Sequence, residues 1–290
     1  MHRLALYLSI CAAIIGLVFF VAHPALAATN VYYSVGQSTS TNLMTGSPTV
    51  TLTSGTAVFS VAQTGNIGVG DKVIYGASSS IAFISGKVTT DDTQWSLVTA
   101  TGSIPTNVSG ASVTSITRAF ASLSSAISGF TGANYLATSS LVGANAIVNI
   151  PCYYDTGADT SQVTIPSSII TATSTYLNIY TPNNTSTQSN FSQRHTGKWT
   201  SNAYQLTIVS SGVNTDMINV QAGYVRITGL QIGLTIASTS FASHESINFS
   251  NLASTTPSFE VVDSNIIQTT RLTADNNQNW GIYNNLERVS

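Results

Sequence analysis

A short run of cationic and aromatic side chains is the part of the sequence best suited to chemistry. It consists of Arg194, His195, Lys198 and Trp199. Guanidinium and ammonium groups bind carboxylates and hydroxyls, while an indole ring stacks on the apolar face of a sugar. We therefore predict an acidic-sugar site here. The structural alternative is a loop that Trp199 packs against the rest of the chain.

A second candidate group comprises Arg226, Glu260 and Asp263. Arg226 and Glu260 align at an offset of 34 residues, which would stack them on neighbouring strands. An exposed ion pair of this kind contributes at most about 1 kcal/mol to stability. Asp263 stands nearly alone on its strand, whereas hydrolysis of a glycosidic bond uses a pair of carboxyl groups. We therefore predict ligand contacts here and assign no catalytic residue.

Two other groups of reactive side chains have simpler explanations. His244 and Glu245 are predicted to form an exposed loop pair, because no second histidine lies near them in the sequence. Cys152 is the one cysteine beyond the N-terminal apolar segment, so no disulfide can form within the remaining chain. We expect its thiol to be a buried apolar group.

The same offset of 34 residues predicts the fold. Val225, Ile227 and Ile232 align with Phe259, Val261 and Ile266, and Ile247 aligns with Ile282 at an offset of 35. Apolar and polar residues alternate within these pieces, as they do in strands with one buried face. A fixed repeat carried by strands is the sign of a solenoid whose turns stack on one another.

These pieces resemble the right-handed parallel β-helix proteins, the pectate-lyase-like superfamily in the broad sense. The resemblance covers about residues 134–290 and is nearest to uncharacterised secreted bacterial members. It implies an all-β fold with a short right-handed parallel β-helix. Lyases of this superfamily bind Ca²⁺ through several carboxylates, a set that this sequence does not supply, so we predict no cofactor and no metal and keep Ca²⁺ only as an unsupported alternative. The superfamily also includes hydrolases, phage tailspikes and non-catalytic surface proteins, so the resemblance leaves the activity open.

The sequence divides into three predicted regions. Residues 1–27 resemble a signal peptide, with an apolar run that ends in Ala25-Leu26-Ala27; an uncleaved membrane anchor is the alternative. Residues 28–117 are predicted to form a small N-terminal β domain and a linker. Residues 118–290 are predicted to form a capping helix and the β-helix. The last strands have no cap in the sequence, so we expect either a truncated C-terminus or an edge covered by another surface.

The composition limits the classes of partner. Only 7% of residues are charged, 43% are hydrophobic and the net charge is −2. A nucleic-acid-binding surface needs a basic patch for phosphates, which this chain lacks. A polybasic membrane-binding surface is equally absent, so we predict no nucleic-acid partner and no membrane contact after signal cleavage.

These observations predict a secreted or cell-surface protein that leans towards a non-catalytic role. It would bind a polysaccharide or another surface component, or serve as a structural element. The first alternative is a polysaccharide lyase or glycoside hydrolase, which would show carboxylates converging on adjacent strands. The second alternative is a phage-tailspike-like fragment. The sequence leaves the ligand, the host and the oligomeric state open.

Overall fold

The computed structural model describes residues 27–211, 214–237, 242–250, 260–272 and 278–285. Within these ranges the chain forms β-strands and two short helices. No helix in the described part is long and apolar enough to cross a bilayer. The predicted signal peptide, residues 1–27, lies outside the described residues except for its last position.

Six antiparallel strands close into a barrel. Their side chains alternate: in the first strand of the barrel, Val50 and Leu52 are buried while the flanking threonines are exposed. This alternation fills the interior of the barrel with apolar side chains and leaves hydroxyls outside. The barrel order is β2-β3-β6-β5-β4-β7. Its strands are β2 (Thr49–Thr53), β3 (Thr56–Phe59), β4 (Lys72–Tyr75), β5 (Ser80–Lys87), β6 (Gln94–Val98) and β7 (Val108–Thr117).

The remaining strands form three parallel sheets. The five-stranded sheet contains β1 (Thr29–Tyr32), β8 (Ala146–Pro151), β10 (Leu177–Tyr180), β13 (Val225–Thr228) and β16 (Val261–Asp263). The three-stranded sheet contains β11 (Gln205–Ser210), β14 (Gln231–Ile236) and β17 (Ile266–Arg271). The four-stranded sheet contains β9 (Val163–Ile165), β12 (Thr215–Val220), β15 (Ser243–Ser250) and β18 (Gln278–Asn285).

One apolar core is shared by the three parallel sheets. The parallel register stacks inward side chains into columns, one of which contains Val31, Val148, Leu177 and Val225. All four side chains are buried. Burial of a Val or Leu side chain stabilises the fold by about 1.5–3 kcal/mol. A single strand cannot bury its own inward side chains, so the core is complete only when neighbouring strands stack on both sides of it.

The prediction of one short right-handed parallel β-helix behind a small β unit and a capping helix is wrong. The described residues instead form a closed antiparallel barrel and three separate parallel sheets. The strand at the very start of the described chain, β1, pairs in parallel with β8 rather than with the barrel. The sequence repeat indicates that the strands pair in parallel. Pairing alone does not specify how many sheets the strands form or how the sheets are connected.

The predicted register is also wrong by one residue in two strand pairs, β13 with β16 and β14 with β17. Arg226 lies opposite Val261 and Ile232 lies opposite Ile267, an offset of 35 rather than 34. The turns explain the error. Gly229 and Ser264 stand 35 residues apart and both have positive φ angles, +80° and +53°. Serine rarely adopts this left-handed conformation, so the sequence did not mark Ser264 as the equivalent turn.

The helix predicted at the start of residues 118–290 begins later in the chain than that boundary. It is α1 (Leu123–Gly129), and Ser122 caps its N-terminus in a capping box with Ser125. The residues just before the cap pair with an early segment instead, since the Phe120 N–H donates to the carbonyl of Ser34. A second helix, α2 (Leu141–Ala144), was not predicted.

A buried ion cluster joins the barrel to the parallel sheets. Arg118 directly follows β7, Asp71 directly precedes β4 in the barrel, and Asp155 lies beyond β8 of the five-stranded sheet. The guanidinium donates to both carboxylate oxygens of Asp71 at 2.8 Å and to Asp155 at 2.8 Å. Its carbon lies 3.7 Å from the centre of the Tyr153 ring. Burial acts to lower the pKa of Arg118, but the two carboxylates outweigh that effect and raise it, so the side chain stays charged.

We predict that Arg118→Met lowers the free energy of unfolding by about 3–5 kcal/mol at neutral pH, because it leaves two carboxylates buried without their cation. Urea denaturation followed by circular dichroism measures the change. Lys198→Met, which removes a cation from an exposed side chain, is the matched control and should change stability by less than about 0.5 kcal/mol. A loss below about 1 kcal/mol in Arg118→Met would contradict this role for the ion cluster.

The prediction of a buried thiol at Cys152 is confirmed, since the side chain is fully buried. Burial raises the pKa of the thiol well above its ordinary value, and the nearby Asp159 acts in the same direction. We therefore predict that a Cys11→Ser chain does not react with a disulfide reagent such as DTNB when folded, because the reagent needs an accessible thiolate. Reaction should appear only along the urea unfolding transition. Rapid reaction of the folded chain would show that this part of the core opens independently.

Candidate functional site

A polar groove lies between the barrel and the five-stranded sheet, with a volume of about 360 Å³. We call it the amide groove. Side-chain amides, two phenol rings and one guanidinium dominate its lining. The residues used below are Tyr32, Asn149, Asn178, Tyr180, Gln188 and Arg194.

The five-stranded sheet positions the amides by simple alternation. In β10, Leu177 and Ile179 are buried in the core, so Asn178 and Tyr180 point to the opposite face. The parallel register then places Asn178 directly beside Asn149 of β8. The groove face of the sheet is therefore fixed by the same pattern that builds the core.

The amides form a hydrogen-bonded ladder across three strands. The Nδ2 of Asn178 donates to the Oδ1 of Asn149 at 2.9 Å, and the Nδ2 of Asn149 donates to the Oδ1 of Asn30 at 3.0 Å. The ladder fixes the direction of each amide, so the donors and acceptors of this face are ordered before any ligand arrives. Preordered groups lose less conformational entropy when they bind a ligand.

The phenol rings at the groove stay neutral. Burial, with a further contribution from Tyr176, raises the pKa of Tyr32. Burial also raises the pKa of Tyr180, and Tyr32 and Cys152 add to the shift. Each hydroxyl is therefore both a donor and an acceptor at neutral pH, while the ring offers an apolar face.

Arg194 reaches the groove from the loop between β10 and β11. Its Nε donates to the Oγ1 of Thr181 and its Nη2 donates to the Thr181 carbonyl, both at 3.3 Å. The guanidinium packs against Gly229, where a Cβ atom would collide with Nε of Arg194 and lie 2.5 Å from Oγ1 of Thr181. Glycine at this position therefore serves two purposes: it allows the positive φ of the turn and leaves room for the guanidinium.

The other members of the predicted acidic-sugar site lie elsewhere. The Nδ1 of His195 accepts a hydrogen bond from Gly197 at 3.1 Å, so its Nε2 carries the proton and donates to the Ser264 carbonyl at 2.7 Å. His195 thus anchors the loop, and Lys198 is exposed to solvent. Trp199 packs over Gly233, where a Cβ atom would lie 2.8 Å from the indole ring. The structure therefore brings Arg194 alone of these four to the amide groove.

Trp199 lines a separate, smaller groove over the three-stranded sheet, with a volume of about 260 Å³. Gln205, Thr207, Gln268 and Thr270 are among its other lining residues. The loop therefore presents its guanidinium to one groove and its indole to another. The packing of the ring on Gly233 agrees with the structural explanation for Trp199.

In the second predicted group, Arg226, Glu260 and Asp263, the true register does not pair Arg226 with Glu260. Arg226 lies opposite Val261 and stacks on the Tyr176 ring, with the guanidinium carbon 3.9 Å from the ring centre. Its Nη1 also donates to the Tyr176 hydroxyl at 3.1 Å. Asp263 lies opposite Thr228 and is exposed, and Glu260 precedes β16.

The amides and phenols of the groove were not among the predicted site residues. The signal for Asn178 was present in the segment YLNIY, whose Leu and Ile alternate with polar and aromatic residues. That alternation places Asn178 on the outer face, but it does not show that Asn149 lies beside it. The barrel, which supplies the opposite wall, could not be placed from the sequence at all.

A pair of acidic side chains was also missed. The prediction that His244 and Glu245 form an exposed loop is wrong: both lie in β15, and Glu245 is only 5% exposed. Glu245 lies opposite Asp216 of β12 in this parallel pair, so the two carboxyl groups stand side by side on adjacent strands.

Metal ligands do not cluster in the described part of the chain: no group of three or more His, Cys, Asp or Glu side chains there has an arrangement that could hold an ion. Comparison of the chain with protein-family models, with curated proteins and with solved structures finds no match. The resemblance to the pectate-lyase-like superfamily therefore stays a prediction from the sequence.

Proposed function

We propose that the protein is an exported, non-catalytic surface protein that binds an acidic polysaccharide in the amide groove. The observation that carries this proposal is the combination of one guanidinium, an ordered amide ladder and two neutral phenols in one concave surface. Export rests on the apolar segment Leu4–Ala22 and the small residues that follow it.

The chemistry of the groove matches that of a sugar acid. Side-chain amides both donate to and accept from hydroxyl groups, and the faces of Tyr32 and Tyr180 offer apolar contact to a pyranose ring. Arg194 uses two of its N–H groups on Thr181, which leaves further donors for a carboxylate. A guanidinium binds a carboxylate by charge-assisted hydrogen bonds, which are about twice as strong as neutral ones.

The charge distribution favours an anionic ligand. Arg194 is the one charged side chain in the described lining of the amide groove. A sugar carboxylate would therefore meet an attractive charge and no opposing carboxylate. The same lining offers no acid–base pair for glycosidic cleavage, which supports binding rather than hydrolysis at this site.

The charge contribution is tested by removing one cation from the loop. We predict that Arg194→Gln weakens the binding of an acidic oligosaccharide by about 10- to 100-fold, the loss expected for one charge-assisted hydrogen bond. Isothermal titration calorimetry with oligomers of galacturonate, glucuronate and mannuronate measures the affinity. Lys198→Gln removes the same charge from an exposed position on the same loop and should leave affinity within about twofold of wild type.

Neutral ligands complete this experiment. Methyl-esterified oligomers of the same sugars should bind wild type and Arg194→Gln equally, because they have no carboxylate for the guanidinium. The proposal fails if no uronate oligomer binds, or if the two substitutions weaken binding to the same extent. The second result would point to a diffuse electrostatic effect rather than to the groove.

The amide ladder gives an independent prediction. Asn178→Leu should reduce affinity for the acidic and esterified oligomers by similar factors, about fivefold or more, because it removes neutral hydrogen bonds from the groove. Asn219→Leu is the matched control, since Asn219 is an amide in β12 of the four-stranded sheet, outside the groove. Equal affinities for Asn178→Leu and wild type would exclude the ladder from the binding surface.

A further inference from the structure

Two carboxyl groups face each other across the junction between β12 and β15. Asp216 and Glu245 are direct register partners in this parallel pair, so their side chains lie side by side on one face of the sheet. Glu245 is only 5% exposed. Asn248 donates to the Oδ2 of Asp216 at 2.9 Å, and the Ser243 hydroxyl donates to Glu245. Two neighbouring carboxyl groups can hydrogen-bond to each other only when one of them carries a proton, since ionised carboxylates only accept.

Most of the side chains that the neighbouring strands place around this pair are uncharged. Asp216 is the one charged residue of β12, and β14 carries none. The described part of β18 places Trp280 opposite Glu245 and Tyr283 opposite Asn248. The side chain of His244 is one residue along the strand and lies opposite Thr215. Arg271 of β17 lies against the Asn279 amide of β18.

This environment favours a protonated Glu245 up to about neutral pH. Burial, followed by the contact with Asp216, raises the pKa of Glu245 to about 7 from an ordinary value of 4.5. Below that pH Glu245 carries a proton that it can donate to its neighbour. Above it, Glu245 is an ionised carboxylate next to another carboxyl group at a position that is only 5% exposed, which is unfavourable.

We propose that protonation of the Asp216–Glu245 pair stabilises the contact between β12 and β15. The contact is stable in acidic solution and becomes weaker as the solution becomes alkaline. This inference is independent of glycan binding. β15 lies between β12 and β18 in the four-stranded sheet, so a weaker β12–β15 junction loosens β18 from the rest of the molecule as well.

The direction of the effect follows from proton linkage. The folded chain binds the Glu245 proton more tightly than the unfolded chain does. The stabilisation from the proton is therefore complete below the ordinary pKa of 4.5, decreases between 4.5 and about 7, and is absent above about 7. Other titrating groups add their own pH dependence, so the effect of the pair is read as the difference between wild type and a variant.

Hydrogen exchange of the full-length chain, read by mass spectrometry, tests the proposal locally. We compare protection of peptides covering residues 243–250 at about pH 5 and about pH 8, after correction for the intrinsic exchange rate. Wild-type protection should fall by at least about tenfold, the equivalent of one pKa unit. Glu245→Gln keeps the shape of the protonated side chain and replaces its O–H donor with an N–H donor that does not titrate, so its protection should stay constant between the two conditions.

Asp216→Asn provides a second variant, because it too removes the like-charge pair and should abolish the pH dependence. Asp263→Asn is the matched control, since Asp263 is an exposed carboxylate on β16 and its loss should leave the wild-type response unchanged. A purely structural role for the pair would lower protection in both variants by the same factor at both pH values. That result, or a wild-type response retained in Glu245→Gln, would overturn the proposal.

Discussion

The guanidinium of Arg118 is the interaction on which the arrangement of the molecule depends. It is fully buried and binds Asp71 of the barrel and Asp155 beside the five-stranded sheet. A buried charge is costly unless it is paired, so all three groups must meet whenever the chain folds. The barrel is thereby held against the sheet, and an aromatic cluster that includes Tyr33 and Phe83, with ring centres 5.2 Å apart, fills the space beside them. The amide groove exists because this contact fixes its two walls.

This chain has a few charged groups in its interior and many uncharged polar groups on its surface. Its outward strand positions carry hydroxyls and amides, and parallel register aligns them into ladders such as Asn30, Asn149 and Asn178. Such a surface suits a hydroxyl-rich ligand, because each ladder offers donors and acceptors in fixed directions. In the proposed function, the single guanidinium of Arg194 adds selectivity for an acidic sugar. The Asp216–Glu245 pair, which we propose responds to pH, lies in the four-stranded sheet and is not part of the groove lining.

The strands could be predicted from the sequence because they depend on local alternation, as in Val225 and Ile227. The pairing of Ile247 with Ile282 at an offset of 35 was also predicted correctly. The register at Arg226 was predicted wrongly, because the turn after β13 contains glycine and the equivalent turn after β16 contains serine. The prediction of a single β-helix was wrong for a different reason: a repeat indicates which strands pair but not how the strands are connected. The ion cluster of Arg118 joins residues 47 and 37 positions away, and no local pattern marks such partners. The groove depends on that long-range contact, so its two walls could not be assembled from the sequence.

The most direct test of this account is a side-chain NMR titration of the folded protein with a uronate oligosaccharide. The amide resonances of Asn149 and Asn178 and the Nε resonance of Arg194 lie in one groove only if the barrel and the five-stranded sheet are docked as described. The account predicts that these three signals shift together along one binding curve, while the side-chain amide of Asn219 stays unchanged. Shifts confined to other residues, or separate curves for Arg194 and the two asparagines, would contradict it.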